Sequence, residues 1–204
     1  MANAKHYNAN NLFEAFRLSE QLKSVVRYKN AADDIEKESV AEHSWRVAFM
    51  VMVVCEDLNL QLDVLKAIKI AMVHDLVEAI TDDIDSVLVR QGIVSGADKQ
   101  NGEIAAILKI EADLGVNLGK MVRSLWEEFE FKKSKEAILV LALDKIEAMS
   151  HMTLVGLKNC NHAYDIPNYA NSVVEEIPEL RGLLKSVKIE LKKEFIKNNI
   201  PWDI

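Results

Sequence analysis

Apolar residues recur every three or four positions through most of the 204-residue chain, and two-residue alternation is nearly absent. Seven glycines and three prolines are the few interruptions, and all three prolines come after residue 166. The pattern therefore predicts an all-α protein, a single compact multi-helix bundle. Its helices are predicted at about 11–28, 40–58, 63–80, 101–114, 117–129, 133–157 and 178–198, with Gly115 as the break between the fourth and the fifth.

Two of these helices have a distinct face or end. The first places five apolar residues near one face: Phe13, Phe16, Leu22, Val25 and Val26. The third begins near Asp63, whose short carboxylate is a suitable N-cap. The apolar face predicts the side on which the first helix packs, and the N-cap predicts where the third helix starts.

The longest helical candidate and the longest loop lie in the middle of the chain. Segment 133–157 is the longest predicted helix, and its apolar stretch predicts burial nearly all round. Segment 81–100 contains two glycines among ionisable and amide residues, which predicts a long loop with about one helical turn. Since long loops in compact domains often carry function, this loop is a candidate part of a site.

Composition and charge narrow the class of protein. The chain carries 25 Lys and Arg against 32 Asp and Glu, and this negative balance disfavours a broad nucleic-acid surface. Two cysteines, Cys55 and Cys160, cannot form a disulfide framework, and Cys55 is expected to be a buried free thiol. The longest apolar run, 47–55, is too short to span a bilayer, and no signal peptide is evident. A cytoplasmic protein without a membrane partner is expected.

Four residues are candidate metal ligands. His43 falls in the first turn of the second predicted helix, His74 and Asp75 are adjacent near the end of the third, and Asp144 interrupts the most apolar helix. Imidazole nitrogens and carboxylate oxygens suit a borderline or hard divalent cation, and the absence of a nearby thiolate argues against structural zinc. Three helices would hold such a site rigidly and leave coordination positions open. The residues do not distinguish Mn, Co, Mg, Fe, Ni or Zn.

Acidic residues follow the His-Asp pair. Glu78 comes three residues after Asp75, so on a helix both carboxylates face the same way. A carboxylate just outside the ligands of a metal is well placed to take a proton from water. Asp82 and Asp83 follow at the predicted helix end, where the helix dipole disfavours negative charge. A nearby cation would explain this cluster.

Other interpretations of these residues remain open. Asp144 can instead form an ion pair with Lys145 or with a neighbouring helix, and His43 can be a capping or packed histidine. His151 lies on the face of Asp144 and can reach a pocket, although a packed or surface histidine is the commoner case. Trp45 and Trp126 are most simply core aromatics, with base stacking as the alternative. The combination of His43, His74-Asp75 and Asp144 is more specific than any member.

The order His, His-Asp, Asp in a helical chain resembles the HD-domain metal-dependent phosphohydrolase superfamily. Segments 38–47 (ESVAEHSWRV) and 74–83 (HDLVEAITDD) resemble its branch of bacterial and eukaryotic 5′-deoxynucleotidases. The similarity covers about residues 12–155 and continues through the short segments 102–106, 126–128 and 141–145. It implies one HD domain over residues 1–204, with C-terminal helices at 168–198 packing on it.

The resemblance also implies roles for individual residues. The metal ligands would be His43, His74, Asp75 and Asp144, which together hold one divalent ion. Glu78 matches the acid that activates water in that branch, and Asp83 matches the acid at the end of the motif. Arg27 corresponds to the arginine that holds the substrate phosphate, and Tyr28 stands where the nucleotidases carry a tryptophan.

Two departures from the branch fall in the loop that faces the substrate. The branch usually has glycine where this chain has Asp82, although aspartate is among the residues that tolerate the left-handed αL conformation. The proline that often follows is replaced by 84–86 (Ile-Asp-Ser). These changes leave the predicted metal ligands untouched and affect the expected sugar and base preference.

The function implied by the resemblance is release of phosphate from nucleoside 5′-monophosphates, with deoxy forms preferred. The alternatives are an HD hydrolase of another phosphomonoester or a nucleotide polyphosphate, and a non-catalytic metal or nucleotide sensor. Glu78 argues against a sensor, since a pure binder needs no base. The expected partner is a small phosphate ester, and homodimers are common among the relatives.

Overall fold

The computed structural model describes residues 8–29, 37–157 and 163–202. Over these ranges the chain contains helices and no strand, apart from one isolated bridge between Val26 and Ser39. The predicted all-α class is confirmed. The helices are α1 (Ala9–Gln21), α2 (Val40–Asp57), α3 (Val64–Val73), α4 (Glu78–Thr81), α5 (Ser86–Arg90), α6 (Gly96–Glu130), α7 (Lys135–Val155), α8 (Asn171–Val174) and α9 (Arg181–Lys197), with short 3₁₀ helices at Ala163–Asn168 and Pro178–Leu180.

Helix α7 is the centre of the main hydrophobic core. It packs against α2 and α3, and α9 packs against it near the end of the chain. Its residues Leu139, Leu143 and Ile146 are fully buried, as predicted for a helix that is apolar nearly all round. Leu191 and Phe195 of α9 belong to the same buried cluster. The C-terminal helix therefore packs on the helix that carries Asp144.

The start of α2 is held by a capping box. The Ser39 side chain accepts a hydrogen bond from the Glu42 N–H at 3.2 Å, and the Glu42 carboxylate accepts one from the Ser39 N–H at 2.8 Å. Arg27 N–H donates to the Glu38 carbonyl at 2.8 Å, so residues 25–27 run beside this helix start. These bonds place His43 in the first turn of α2 and bring Arg27 next to it.

Helix α1 ends seven residues before the predicted boundary. It stops at Gln21, and the chain then turns and forms the bridge at Val26. Phe13 and Phe16 are exposed, whereas Leu22 is buried, so the expected common face is not one buried surface. The predicted end of this helix was wrong because pairing with another segment of the chain overrides local helical periodicity.

Helix α3 starts as predicted and ends early. The Asp63 side chain accepts from the Lys66 N–H at 3.0 Å, which confirms the N-cap. Beyond Val73 the chain makes bonds of the 3₁₀ type, such as Glu78 N–H to the Asp75 carbonyl at 3.0 Å. The ring of His74 bonds to the Ala71 carbonyl, which would accept from residue 75 in a continuous α-helix. The predicted helix over 63–80 is therefore interrupted where the His-Asp pair lies.

Helix α6 joins the two predicted central helices across a kink. It begins five residues earlier than predicted, where the Ser95 side chain accepts from the Asp98 N–H, and it bends at Gly115. With 35 residues it is longer than α7, which has 21, so α7 is not the longest helix. The predicted loop over 81–100 contains α5 and is shorter than expected. The break at Gly115 is confirmed.

Replacing Gly115 with alanine is expected to lower the free energy of unfolding by about 1–3 kcal/mol, because its backbone region is essentially restricted to glycine. Its φ is 74° and its ψ is 175°, and an added Cβ would lie 2.1 Å from Nδ2 of Asn11 in α1. Urea denaturation measures the change. Gly182→Ala is the control, since a Cβ there meets nothing within 4 Å. Equal stability of the two variants would contradict the prediction.

Two further expectations concern the cysteines and the membrane. Cys55 is a buried free thiol, as predicted, and Cys160 lies outside the described residues. Within the described ranges, no helix combines the length and the apolar character that a transmembrane span needs.

Candidate metal centre

Four predicted ligands from three parts of the fold converge on one point. The Nε2 atom of His43 lies 3.3 Å from Nε2 of His74, 3.2 Å from Oδ1 of Asp144 and 3.5 Å from Oδ2 of Asp75. The same Asp75 oxygen is 3.1 Å from Nε2 of His74. His43 comes from α2, His74 and Asp75 from the turn after α3, and Asp144 from the middle of α7. The structure thus brings together all four residues.

The hydrogen bonds of the two imidazole rings determine which nitrogens face this point. His43 Nδ1 is 2.8 Å from Oε2 of Glu147, and His74 Nδ1 is 2.8 Å from the carbonyl oxygen of Ala71. Both partners are acceptors, so each Nδ1 carries the hydrogen and each neutral ring presents a lone pair at Nε2. When both rings are neutral, two lone pairs and two carboxylate oxygens meet without a donor among them. This set of atoms fits a divalent cation.

The electrostatics of the cluster also favour a positive charge at this point. Burial and the charge of Arg27 lower the pKa of His43, but its bonds to Asp144 and Glu147 outweigh them and raise it to about 9. Burial raises the pKa of Asp75, but the two histidines together with Arg27 outweigh burial, so the pKa lies below its usual value. A proton on His43 and a metal cation satisfy the same carboxylates, so metal binding would release the proton.

Glu78 and Asp83 lie beside the ligands as two acids with raised pKa values. Glu78 is 7% exposed, and its Oε2 has no hydrogen-bond partner among the described residues. Burial, followed by the negative charge of Asp75, raises the pKa of Glu78 well above its usual value. Burial also raises the pKa of Asp83 to about 6, with Arg27 opposing the shift. A carboxylate in this environment is a stronger base when ionised.

These groups line a cavity of about 480 Å³, a size that suits a small molecule. Asp75, Asp144, Glu78 and Asp83 contribute to its wall. The basic and aromatic side chains of the lining are Arg27, Arg90, Lys99, Lys145, Tyr28, Trp126, Phe129 and Tyr169. The cavity therefore combines three of the four candidate ligands (His74, Asp75 and Asp144) with two acids, cations and aromatic surfaces.

Arg27 and Tyr28, the two residues predicted to bind the substrate, both lie in the cavity wall. The Arg27 guanidinium lies 3.7 Å from Glu38 and 3.6 Å from Glu147. Tyr28 has a φ of 58°, and its ring stacks on His151 with 5.4 Å between centroids. The Tyr28 hydroxyl is buried and has no hydrogen-bond partner among the described residues. It is therefore available to a bound molecule.

The structure also decides between the interpretations left open for His151, Trp126 and Trp45. His151 is buried beneath Tyr28 and 3.1 Å from Arg46, so the packed-histidine interpretation holds. Trp126 is 2% exposed, which confirms a core aromatic. Trp45 is 62% exposed, so its assignment to the core was wrong. Trp45 is two residues from His43, and on an α-helix this spacing separates their side chains by about 200°.

Asp82 departs from the expected conformation. Its φ is 65° and its ψ is 162°, which is outside the αL region and in one that glycine alone adopts readily. The side chain accepts from the Asp83 N–H at 3.1 Å and pairs with Lys29. Tolerance of αL therefore does not explain aspartate at this position. Aspartate in place of glycine therefore carries a local conformational cost. The position lies directly before Asp83, which lines the cavity.

Three charged residues were not predicted to take part in the site. Glu147 contacts His43, and it also pairs with Arg46, which reaches Glu38 at 3.2 Å. Glu147 is three residues after Asp144 in a largely apolar helix. An acid on the same helix face as the candidate ligand Asp144 was the signal in the sequence that could have identified Glu147.

Comparison with known proteins places the chain in a family. The model of the HD domain matches residues 19–181. The chain belongs to the HD-domain family. It is 31% identical over 194 residues to 5′-deoxynucleotidase HDDC2 of Danio rerio, covering 88% of each chain. It is 35% identical over 148 residues to HDDC2 of Mus musculus, covering 72% of this chain and 71% of that one.

Solved structures have the same HD-domain fold. A predicted metal-dependent phosphohydrolase from Magnetospirillum magnetotacticum superposes with a TM-score of 0.71 at 19% identity, over 94% of this chain and 97% of that one. The PH0347 protein of Pyrococcus horikoshii gives 0.62 at 29% identity, over 87% and 99%. Membership of the HD-domain family implies a divalent metal, and the acceptors around His43 fit one.

Proposed function

We propose that this HD-domain protein is a metal-dependent phosphohydrolase that releases phosphate from deoxynucleoside 5′-monophosphates. The observation that carries the proposal is the convergence of two imidazole lone pairs and two carboxylates at the wall of a cavity of about 480 Å³. The similarity to 5′-deoxynucleotidases over most of the chain supports the substrate class.

His43, His74, Asp75 and Asp144 would hold one divalent ion. When bound, such an ion polarises a phosphoryl oxygen and lowers the pKa of a water molecule. The four side chains would fix the position of the ion, and the hydrogen bonds that the two Nδ1–H groups donate keep both rings in the tautomer that the site needs.

Glu78 accepts the proton of the attacking water in this mechanism. Its Oε2 is buried without a partner among the described residues, so the atom is available for this transfer. Asp83 is the second carboxylate that can take the proton. Both acids line the cavity.

Arg27 and Tyr28 bind the substrate in this mechanism. The Arg27 guanidinium neutralises charge on the transferred phosphoryl group, where its planar donors match two oxygens. The hydroxyl of Tyr28 donates a hydrogen bond to the phosphate or the sugar. Water breaks the bond from phosphorus to the 5′ oxygen, and the products are inorganic phosphate and a nucleoside.

The remaining expectations stay predictions. They are a single domain over residues 1–204, a cytoplasmic location, a homodimer and the absence of nucleic-acid and membrane partners. A preference for deoxy over ribose substrates is also part of the proposal, and the loop with Asp82 is where it would be tested first.

A metal-reconstitution assay tests the function. Protein stripped of metal should release phosphate from 5′-deoxynucleotides only after Mn²⁺, Co²⁺, Mg²⁺, Ni²⁺, Fe²⁺ or Zn²⁺ is added. The matched substrates are 5′-ribonucleotides, 3′-deoxynucleotides, nucleoside triphosphates and a general phosphomonoester. Slower release from the 3′ isomers and the ribonucleotides is expected. Bound metal with no release from any 5′-monophosphate would reject the proposal, and release from triphosphates alone would favour a polyphosphate hydrolase.

A further inference from the structure

A buried cluster of charged residues lies directly behind the ligand His43. Glu147 is fully buried at its centre, with its carboxylate 2.8 Å from His43 Nδ1, 2.5 Å from Arg46 and 3.6 Å from Arg27. Glu38 contacts the same two arginines at 3.2 and 3.7 Å. Two carboxylates and two guanidinium groups are thus packed against one metal ligand.

This cluster is not itself a second metal site. Glu38, Glu147 and His151 bring their potential ligand atoms within 4.8 Å of one another. However, the charges of Arg27 and Arg46 already neutralise both carboxylates, and Arg46 also contacts His151 at 3.1 Å. A divalent cation would meet two positive groups at contact distance. The arrangement therefore serves the neighbouring site.

We propose that Glu147 is a positioning residue that fixes the ring of His43 for metal binding and holds Arg27 toward the substrate phosphate. The inference rests on the proposed metal centre and on the proposed role of Arg27. Glu147 does not line the cavity, so it acts through the side chains of His43 and Arg27.

The contact with His43 has two consequences. A carboxylate acceptor keeps the hydrogen on Nδ1, which leaves Nε2 free as the ligand atom, and it makes the imidazole a stronger base toward a cation. The bond joins residues 104 positions apart, so it also sets the orientation of the His43 ring, on α2, relative to α7. Loss of this acceptor lets the ring rotate or change tautomer.

The contact with Arg27 links substrate binding to the same carboxylate. The Arg27 guanidinium lies between Glu38 and Glu147, and its side chain is otherwise nearly buried in the cavity wall. With both carboxylates in place, its position is restricted before the substrate enters. Such restriction lowers the entropic cost of binding a phosphate.

Glu38 is a matched control for Glu147. Both carboxylates contact Arg27 and Arg46, but only Glu147 is within hydrogen-bond distance of His43, since Glu38 is 4.0 Å from His43 Nδ1. Glu38→Gln removes the same charge from the arginines without touching this bond. A difference in metal affinity between the two variants therefore measures the contact with His43.

The experiment titrates Mn²⁺ and Co²⁺ into metal-stripped full-length wild type, Glu147→Gln and Glu38→Gln. Free Mn²⁺ is followed by electron paramagnetic resonance, and the Co²⁺ site by its visible absorption spectrum. Glu147→Gln should bind Mn²⁺ about 10–100-fold more weakly and show an altered Co²⁺ spectrum, because that carboxylate supports a ligand. Glu38→Gln should retain the wild-type Mn²⁺ affinity and spectrum. Both variants should raise KM for a 5′-deoxynucleotide.

Equal Mn²⁺ affinity of wild type and Glu147→Gln would overturn the inference. If Glu147→Gln does not fold, as judged by its unfolding transition, Glu147→Asp replaces it: the shorter acid keeps the charge and moves away from His43, so weaker binding is again expected. Wild-type affinity of Glu147→Asp would overturn the inference too. Failure of the wild type itself to bind any of Mn²⁺, Co²⁺, Mg²⁺, Ni²⁺, Fe²⁺ or Zn²⁺ would instead reject the proposed function, and the inference with it.

Discussion

Phosphate release by Asp75→Asn is expected to fall at least about a thousandfold, which corresponds to about 4 kcal/mol of transition-state stabilisation. Asp75 is the residue whose carboxylate approaches both ring nitrogens, at 3.5 Å from His43 and 3.1 Å from His74. Asparagine has nearly the same shape but no charge, so the cluster loses one anion and much of its attraction for a divalent cation. Phosphate release and Mn²⁺ titration measure the two effects.

The fold should survive the substitution. Asp75 lies at the cavity wall, and its neighbours in the metal-free protein are the two imidazole rings. We expect the unfolding midpoint of the metal-free variant to change by less than about 4 °C, equivalent to about 1 kcal/mol. Asp113→Asn, at an exposed ion pair with Lys109, is the control and should retain activity. Full activity of Asp75→Asn would remove Asp75 from the ligand set.

The candidate ligands could be predicted from the sequence because their chemistry is unusual for their surroundings. Asp144 interrupts an apolar helix, and burying an unpaired carboxylate is costly, so a partner was required. The structure gives it one in His43 at 3.2 Å. The start of α2 was equally predictable, since Ser39 and Glu42 form a capping box within four residues.

The helix ends that were predicted wrongly depend on contacts that the apolar periodicity of the chain does not contain. Helix α1 stops early because Val26 pairs with Ser39, and helical periodicity contains no information about such a bridge. Helix α3 stops at Val73, where the ring of His74 takes the carbonyl of Ala71. Both deviations lie where functional side chains are positioned. Local strain and irregular backbone are expected to concentrate at such places.

The role of Glu147 could not be predicted from the sequence either. Its spacing from Asp144 places it on the same helix face, and this part of the geometry is local. Its hydrogen-bond partner, however, is 104 residues away in α2. Which buried acid supports which ligand depends on the packing of α2 against α7, and periodicity alone does not determine that packing.

Glu78→Gln is expected to lower kcat by about 10²–10⁴, the range that a positioned general base contributes. The carboxylate is 7% exposed, and its Oε2 lacks a partner among the described residues. Glutamine keeps the size and the polarity of the side chain but cannot accept the proton. Because the four candidate ligands are intact, Mn²⁺ affinity at their site and KM should change little.

The control for Glu78 is another acid of the same cavity. Glu103 lines the wall and is paired with Lys99 at 2.7 Å, so its carboxylate already has a cationic partner. Glu103→Gln should therefore reduce kcat far less than Glu78→Gln. If both variants lose activity equally, the effect belongs to the charge of the cavity and not to a base.

Asp83→Asn distinguishes the two candidate bases. Both acids lie near Asp75 and have raised pKa values, and Arg27 partly offsets the shift of each one. If Glu78 is the base, kcat of Asp83→Asn should lie well above that of Glu78→Gln. The reverse order would assign the proton to Asp83. A loss of kcat with unchanged Mn²⁺ binding marks either group as acting in the transition state, because a ligand would lose both together.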